Sequence, residues 1–284
     1  MVTVAEAVAA PPVDAHPERL RAVVAQVGAL SRRSVINIWR QPQVWIPSLA
    51  FPLLFAALNT AALGKVPGQL AERFGIHPFG PGDRFLDYLF VGTLIQGVLF
   101  GSLSGGSELA QDIESGFFDR LVATPVARSS ILVGRLAGSA ALGAVQGLVF
   151  MGIFLAFGAK VAGGVAGAAV LPVAAALLAL AIGGLACAMA IRTGSVEAVQ
   201  GAFPLVFITL FISSAFFPTP LMKGWYKAVA THNPITVMID GMRHQVLFGF
   251  DVGQAARAIL VPGGLAALAI GLCLLTLRAR LADR

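Results

Sequence analysis

The chain has 284 residues, of which 57% are apolar and 12% are charged, and its formal net charge is +6. Soluble domains carry about 25% charged residues. With 20 basic and 14 acidic side chains, this chain has too few charged groups to cover a water-soluble fold of its size. The composition therefore excludes a soluble globular protein and predicts an integral membrane protein. The basic residues lie between apolar runs rather than on one solvated face, so they do not indicate a nucleic-acid partner.

The chain begins with two segments of different pattern. Residues 1–17 combine alanine, proline and acidic side chains without a basic start before an apolar run. That is not the pattern of a secretory signal, and we expect a disordered cytoplasmic tail. In residues 18–40, apolar side chains recur at roughly helical spacing between arginines. Such a helix lies in the headgroup plane, so the segment predicts an amphipathic N-terminal interface helix that Pro42 ends.

Six apolar runs follow, and each is long enough for a helix to cross the hydrocarbon core, which takes about 20 residues. They are residues 44–64, 86–109, 131–158, 161–191, 198–217 and 255–277. Six transmembrane helices put both termini on one side, where the flanking basic residues are also more numerous. Because positive flanks stay inside, we expect a multi-pass protein with both termini cytoplasmic. The excess of arginine over lysine, with abundant alanine and glycine, favours the plasma (inner) membrane of a bacterium.

The loops between these runs are unequal in length and charge. In this topology, a charged loop at residues 110–130 and a short turn at residues 192–197 face the cytoplasm. The longest external stretch is residues 218–254. No internal repeat divides the chain, so residues 18–284 are expected to form one transmembrane domain.

Charge is nearly absent from the middle of the runs. The acidic and basic residues within them stand near the ends, at Asp87, Glu108, Arg135 and Arg257. Intramembrane ionisable groups mark proton paths, so this pattern argues against a proton-coupled transporter, while sodium coupling through backbone carbonyls stays open. No lysine is followed by serine or threonine as in a phosphate-binding loop. If ATP drives the protein, a separate chain binds it.

The external stretch holds a dense polar cluster of Asp240, Arg243 and His244. The spacing of Asp240 and Arg243 predicts a helical ion pair, and His244 is interpreted as an interfacial side chain rather than a catalytic base. The two cysteines, Cys187 and Cys273, have neither disulfide nor metal spacing. The sequence therefore predicts no catalytic, cofactor-binding or metal site on this chain.

The inner loop carries the most specific pattern. Phe117, Phe118 and Leu121 share one face of a short helix. Paired aromatic side chains on an exposed helix suit docking into a groove of another protein, and the alternative is an interfacial helix that rests on lipid. Proline disfavours helical geometry in the residue before it, so the helix is expected to end at Thr124 and Pro125.

Two motifs, in this order along the chain, resemble those of a known family. The first consists of Glu114, Gly116, Leu121, Thr124, Pro125, Gly134 and Arg135. It resembles the signature of the ABC type-2 exporter permeases. The second consists of residues 214–218, Trp225, Asn233, Pro234, Asp240 and Arg243. It is similar to the region before the last span in the drug-resistance permeases of the daunorubicin type.

The resemblance implies the transmembrane subunit of an ATP-driven exporter. ATP and Mg²⁺ would be bound by a separate nucleotide-binding ATPase subunit, with no cofactor on this chain. The short inner helix would be the coupling helix seated on that partner, with a smaller second contact at Arg192 and Glu197. The interface helix would lie along the inner leaflet and touch the same partner. The implied coupling residues are Glu114, Gly116, Phe117, Phe118, Asp119, Arg120, Leu121, Thr124 and Pro125.

The resemblance also implies a second permease copy, either identical or a paralogue. The two copies would meet across a central pathway built mainly from their second and fifth spans. The external stretch would form short re-entrant helices that cap this pathway before the last span. The cap residues are Pro218, Trp225, Asn233, Pro234, Asp240 and Arg243. The pathway candidates are Gln96, Phe100, Phe207, Phe211, Phe216 and Phe217.

An aromatic and nearly uncharged wall suits a hydrophobic or amphipathic substrate such as a drug, a natural product or a lipid. We expect it to be exported by alternating access, with the inner ends of the spans moving as rigid bodies. The alternative position for these phenylalanines is against lipid or neighbouring helices. The alternative functions are a membrane scaffold or assembly factor without transport, and an exporter of polysaccharide or glycolipid.

Overall fold

The computed structural model of the chain describes residues 36, 42–75, 77, 79–80, 84–122 and 128–282. Every regular element in this part is helical, which confirms the predicted all-α class there. The predicted tail, the interface helix except Ile36, and both Thr124 and Pro125 lie outside the described residues.

Helices of two kinds make up the fold. The long ones are α1 (Pro42–Leu63), α3 (Phe85–Ser102), α6 (Arg128–Ala156), α7 (Gly164–Thr193) and α12 (Val252–Ala282). The shorter ones are α2 (Val66–Phe74), α4 (Ser104–Glu114), α5 (Phe117–Val122), α8 (Val196–Gly201), α9 (Phe203–Phe211), α10 (Gly224–His232) and α11 (Pro234–Leu247). A 3-10 turn at Thr219–Leu221 stands between α9 and α10.

Five helical segments of the described chain are long and apolar enough to cross a membrane. They are Trp45–Phe74, Phe85–Glu114, Leu132–Ala156, Gly164–Thr193 and Val252–Arg280. The remaining apolar run, predicted as a span at residues 198–217, is occupied by Val196–Phe211, which is apolar but shorter. The chain is therefore a helical, multi-pass membrane protein with five candidate spans in its described part.

The helix over the fifth apolar run ends at Phe211, not at residue 217 as the sequence predicts. The Ser213 hydroxyl donates a hydrogen bond to the Leu210 carbonyl at 2.5 Å, and such local bonds compete with the helical ladder. Pro218 then disfavours helical geometry at Phe217. Apolar composition alone does not report these local effects, so the prediction extended the helix too far.

Close backbone contact holds the centre of the bundle together. α7 packs against α12, α6 and α4, and its sequence is rich in alanine and glycine. Because lipid tails are as apolar as leucine, membrane helices associate through close packing, which small residues permit. A Cβ added at Gly143 of α6 would lie 2.6 Å from the Ala175 carbonyl oxygen of α7. The two backbones are therefore in direct contact at this point.

Replacing Gly143 by alanine is expected to destabilise the bundle by about 1–3 kcal/mol, because the new methyl group overlaps the α7 backbone. The matched control is Gly152→Ala in the same helix, where an added Cβ meets no atom within 4 Å. Thermal unfolding of both purified variants in one detergent measures the difference. Equal melting temperatures would contradict direct contact between the two backbones.

Helix α3 is surrounded by other helices of the same chain. All of its residues except Leu86 and Phe100 are buried, because α1, α6 and α11 cover its sides. Gln96 is only 1% exposed, so its predicted position on an open pathway wall is wrong for this conformation. The accessible part of the second predicted span is therefore the end that carries Phe100.

Candidate functional site

The inner loop forms a turn and a short helix that pack against the core of the chain. Gly116 has a φ of +70° between α4 and α5, a left-handed conformation that glycine adopts without steric cost. On α5, Phe118 is 2% exposed and lies in an apolar cluster with residues of α4, α6 and α7, with Leu121 packed against it. Phe118 is therefore not the exposed docking anchor that the sequence predicts. Burial is favoured because a phenylalanine side chain gains about 1.5–3 kcal/mol when it leaves water.

The surface that remains near this loop is mostly polar. Asp119 and Arg120 are exposed on α5, whereas Phe117 is half-buried. Arg192 and Glu197, the predicted second contact, are exposed at the α7–α8 turn. A partner that binds here meets charged side chains of both signs.

Glu114 joins the two predicted contact regions. Its Oε1 accepts a hydrogen bond of 2.9 Å from the backbone N–H of Val196, a residue 82 positions later in the chain. Ser195 caps the same helix by accepting from the Ala198 N–H at 3.2 Å, and its hydroxyl donates to Glu197 at 2.7 Å. The bond from Ser195 also holds the pKa of Glu197 below its ordinary value. The end of α4 and the start of α8 are thus physically connected.

Arg135 ties α4 to α6 at the same end of the bundle. Its Nη1 lies 3.4 Å from a Glu108 carboxylate oxygen, and its Nη2 contacts Asp112. All three side chains are largely buried, with exposed fractions of 14%, 16% and 21% for Arg135, Glu108 and Asp112. Because two carboxylates share one guanidinium, this group joins α4 to α6 and stabilises the base of the inner loop.

The helix break after α9 is held by α11. Asn233, which precedes α11, and residues of α11 form hydrogen bonds with the backbone at the end of α9 and just after it. The Asn233 amide donates to the Thr209 carbonyl at 2.8 Å and to the Ile212 carbonyl at 3.0 Å. The Thr236 hydroxyl accepts from the Ser214 N–H at 3.1 Å. A broken helix inside a membrane leaves polar groups that must be satisfied by protein. These side chains meet that requirement.

Arg243 completes this set of contacts. Its Nη2 donates to the Ser214 carbonyl at 2.9 Å and to the Ala215 carbonyl at 3.2 Å. Its Nη1 lies 3.3 Å from Asp240, which confirms the predicted ion pair. The guanidinium carbon stands 3.8 Å from the centre of the Tyr88 ring on α3, a cation–π contact. We call four residues the α11 clamp, because their spacing puts them on one helix face: Asn233, Thr236, Asp240 and Arg243.

The other predicted cap residues surround the clamp. Pro218 is buried and borders, with Asp240 and Arg243, a cavity of about 410 Å³. Pro234 opens α11, where its missing N–H is no loss. Trp225 is 74% exposed on α10, which suits a membrane–water interface.

Phenylalanine rings form a continuous cluster along α9. Neighbouring ring centroids lie 4.9–6.5 Å apart, within or near the range of favourable ring contacts. We call this cluster the aromatic belt: Phe51, Phe55, Phe100, Phe203, Phe207, Phe211 and Phe216. It contains four of the predicted pathway residues, whereas Phe217 is 54% exposed outside it and Gln96 is buried in the bundle.

Sequence reasoning missed several members of these sites. Phe51 and Phe55 are four residues apart on α1, and Phe203 continues the four-residue spacing of Phe207 and Phe211 on α9. That spacing puts side chains on one helix face, so it could have identified them. Thr236 follows Asn233 and precedes Asp240 at helical spacing, a signal of the same kind.

Comparisons with known proteins find similar membrane permeases. A family model described as ABC-2 type transporter matches residues 25–247. A probable doxorubicin resistance ABC transporter permease protein, DrrC, from Mycobacterium tuberculosis is 23% identical over 254 residues, covering 89% of this chain and 86% of that protein. The daunorubicin resistance ABC transporter permease protein DrrB1 from Streptomyces coeruleorubidus is 27% identical, with the same coverages. A putative transport permease, ycf38, from Porphyra purpurea is 24% identical over 226 residues, 78% of this chain and 74% of that protein.

Proposed function

Because the chain belongs to the ABC-2 type transporter family and is a membrane permease subunit of an ABC exporter, we propose that it moves a hydrophobic or amphipathic substrate outward by alternating access. ATP and Mg²⁺ are bound by the separate ATPase subunit with which such permeases work. The names of two relatives refer to doxorubicin and daunorubicin resistance. They support a drug-like or natural-product substrate for this chain.

One observation carries the proposal: the inner loop is bonded to the helix pair that bears the aromatic belt. Glu114 contacts the backbone of Val196, and α8 leads directly into α9. A displacement of the inner loop by the ATPase is therefore transmitted to Phe203, Phe207 and Phe211. Packed elements move as units when one of them is pushed.

The ATPase docks on the exposed polar side of the inner loop. Phe117, Asp119 and Arg120 face it from α5, and Arg192 and Glu197 face it from the α7–α8 turn. Buried Phe118 anchors α5 to the bundle instead, so that force on the short helix reaches α4 and α6. The interface helix at residues 18–40 adds contacts with the inner leaflet and the partner.

The whole transporter contains two permease copies around a central pathway. Each copy has six spans, the broken helix pair α8–α9 serving as the fifth, and α10 and α11 form the re-entrant cap. Both termini are cytoplasmic in a bacterial plasma membrane. In the aromatic belt, ring faces offer contact area to an apolar substrate without demanding a fixed set of hydrogen bonds.

Site-specific photo-crosslinking tests where the ATPase binds. With benzoylphenylalanine in place of Arg120, ultraviolet light is expected to join the chain to its ATPase partner, because Arg120 is exposed on the proposed docking side. The control carries the same group in place of Trp225, which is also exposed but lies on the proposed external side. The readout is the crosslinked product in membranes that contain both subunits. Products from Trp225 but not from Arg120 would overturn the docking side and the topology together.

A further inference from the structure

A groove runs along the bundle between α4 and the helix pair α8–α9. Its volume is about 710 Å³, within the range of roughly 300–1,000 Å³ that small-molecule sites occupy. Phe100 and Phe203 line one end, and Glu114 and Glu197 line the other. Along the chain, the lining runs from Phe100 near the end of α3 to Glu114, the last residue of α4. We call this cavity the inner groove.

The apolar end of the inner groove opens onto the aromatic belt. The Phe100 and Phe203 ring centroids are 4.9 Å apart, and Phe100 is 5.1 Å from Phe207. A flat apolar body can therefore pass from one ring face to the next without leaving aromatic contact. This end suits the hydrophobic part of an amphipathic molecule.

The other end of the inner groove is acidic. Three glutamates, Glu108, Glu114 and Glu197, line the cavity, and no lysine or arginine is among its described lining residues. Glu108 shares Arg135 with Asp112. Glu114 and Glu197 form no ion pair with a described residue. Glu114 accepts a hydrogen bond from the Val196 N–H, and Glu197 accepts one from the Ser195 hydroxyl. Glu114 and Glu197 therefore place negative charge at the mouth of the groove.

We propose that the inner groove is the substrate's first binding site and that it selects amphipathic cations with an aromatic or apolar body. Carboxylates at the mouth attract the cationic group, and the ring faces at the other end contact the apolar body. An anion of the same size meets repulsion from the same carboxylates. This assignment rests on the proposed export function for its role in transport, whereas charge-selective binding follows from the groove itself.

The test is equilibrium binding to the full chain with its ATPase partner in lipid nanodiscs, without ATP. Tetraphenylphosphonium and tetraphenylborate are suitable probes because they have nearly the same shape and opposite charge. Saturable binding above that of empty nanodiscs is expected for the cation and not for the anion. Saturable binding of both ions with equal affinity, or of the anion alone, would overturn the proposal.

Charge removal at the mouth locates the site. In complexes that retain the ATPase at the unmodified ratio, Glu197→Gln is expected to weaken tetraphenylphosphonium binding by about three- to fivefold, since one carboxylate near a cation in a water-filled groove contributes on that scale. Glu72→Gln on exposed α2 removes the same charge away from the groove and should leave binding unchanged. Equal affinities for these two variants would contradict the assignment of the mouth.

Ring removal tests the apolar end in the same assay. Phe203→Leu should weaken cation binding, whereas Phe157→Leu, at a side chain that is 78% exposed outside the groove, should not. Export activity is measured separately with the same complexes. Unselective binding with intact ATP-driven export would refute only the cation site, and selective binding without any ATP-driven export would refute the proposed function.

Discussion

Replacing Arg243 by methionine is expected to abolish export and to lower the stability of the chain by roughly 2–4 kcal/mol, because it removes the buried donor of two backbone carbonyls. The Ser214 and Ala215 carbonyls lose their donor, and an unsatisfied buried polar group costs about 1–3 kcal/mol. The cation–π contact with Tyr88 disappears at the same time. The measurements are thermal unfolding in detergent and ATP-dependent export by the reconstituted complex.

Two further variants serve as controls for Arg243→Met. Arg257→Met removes an exposed arginine that lines the same cavity as Pro218 and Arg243. This variant should behave like the unmodified chain. Arg243→Lys keeps the charge but lacks the planar fork that reaches both carbonyls, so an intermediate stability is expected. If Arg243→Met were as stable and active as Arg257→Met, the α11 clamp would not hold the break after α9.

The α11 clamp also shows what the sequence can and cannot reveal. The spacing of Asp240 and Arg243 predicted their ion pair, because both partners lie on one helix and helix geometry is fixed. It did not reveal that Arg243 bonds to Ser214 and Ala215. Those carbonyls become available only because the helix ends at Phe211, which depends on local hydrogen bonds that no apolar pattern encodes.

The inner loop gives the same lesson for a short helix. Its motif correctly indicated the family, and Gly116 does occupy the turn between two helices. The pattern could not distinguish an exposed aromatic pair from one half-buried ring and one buried ring. Burial of Phe118 is decided by α6 and α7, which contribute the cavity that it fills. Tertiary packing therefore settled what local spacing left open.

Span prediction succeeded where composition and length act alone. α7 and α12 are long, apolar and uninterrupted, so the criterion of about 20 apolar residues identifies them. The same criterion carries no information on which side of a span faces its neighbours, so it could not show that Gln96, a predicted pathway residue, is buried. α3 is covered on all sides, and that follows from the contacts of α1, α6 and α11.

The hydrogen bond between Glu114 and Val196 connects the inner loop to the helix pair α8–α9. In the proposed mechanism the ATPase acts on α5, which is attached to the core through Phe118 and follows α4 after the Gly116 turn. Glu114 then connects the end of α4 to α8, and α8 leads to the aromatic belt and the inner groove. The proposed coupling between nucleotide state and substrate site therefore runs through the Glu114–Val196 hydrogen bond, which joins distant parts of the sequence.

Replacing Glu114 by alanine is therefore expected to uncouple the transporter, with ATP hydrolysis by the complex retained and export reduced. Loss of a charge-assisted bond at an exposed site costs about 1 kcal/mol, or roughly fivefold in the population of connected loops. Glu114→Gln keeps a side-chain oxygen that can accept from the Val196 N–H, so it should retain more export than Glu114→Ala. The quantity to measure is substrate exported per ATP hydrolysed in proteoliposomes. Glu197→Ala, which removes a neighbouring carboxylate but not this bond, separates loss of charge from loss of the connection. The connection would be contradicted if Glu197→Ala, Glu114→Gln and Glu114→Ala all lowered the export per ATP hydrolysed to the same extent. Charge at the mouth of the groove would then control export, and the connection between α4 and α8 would not.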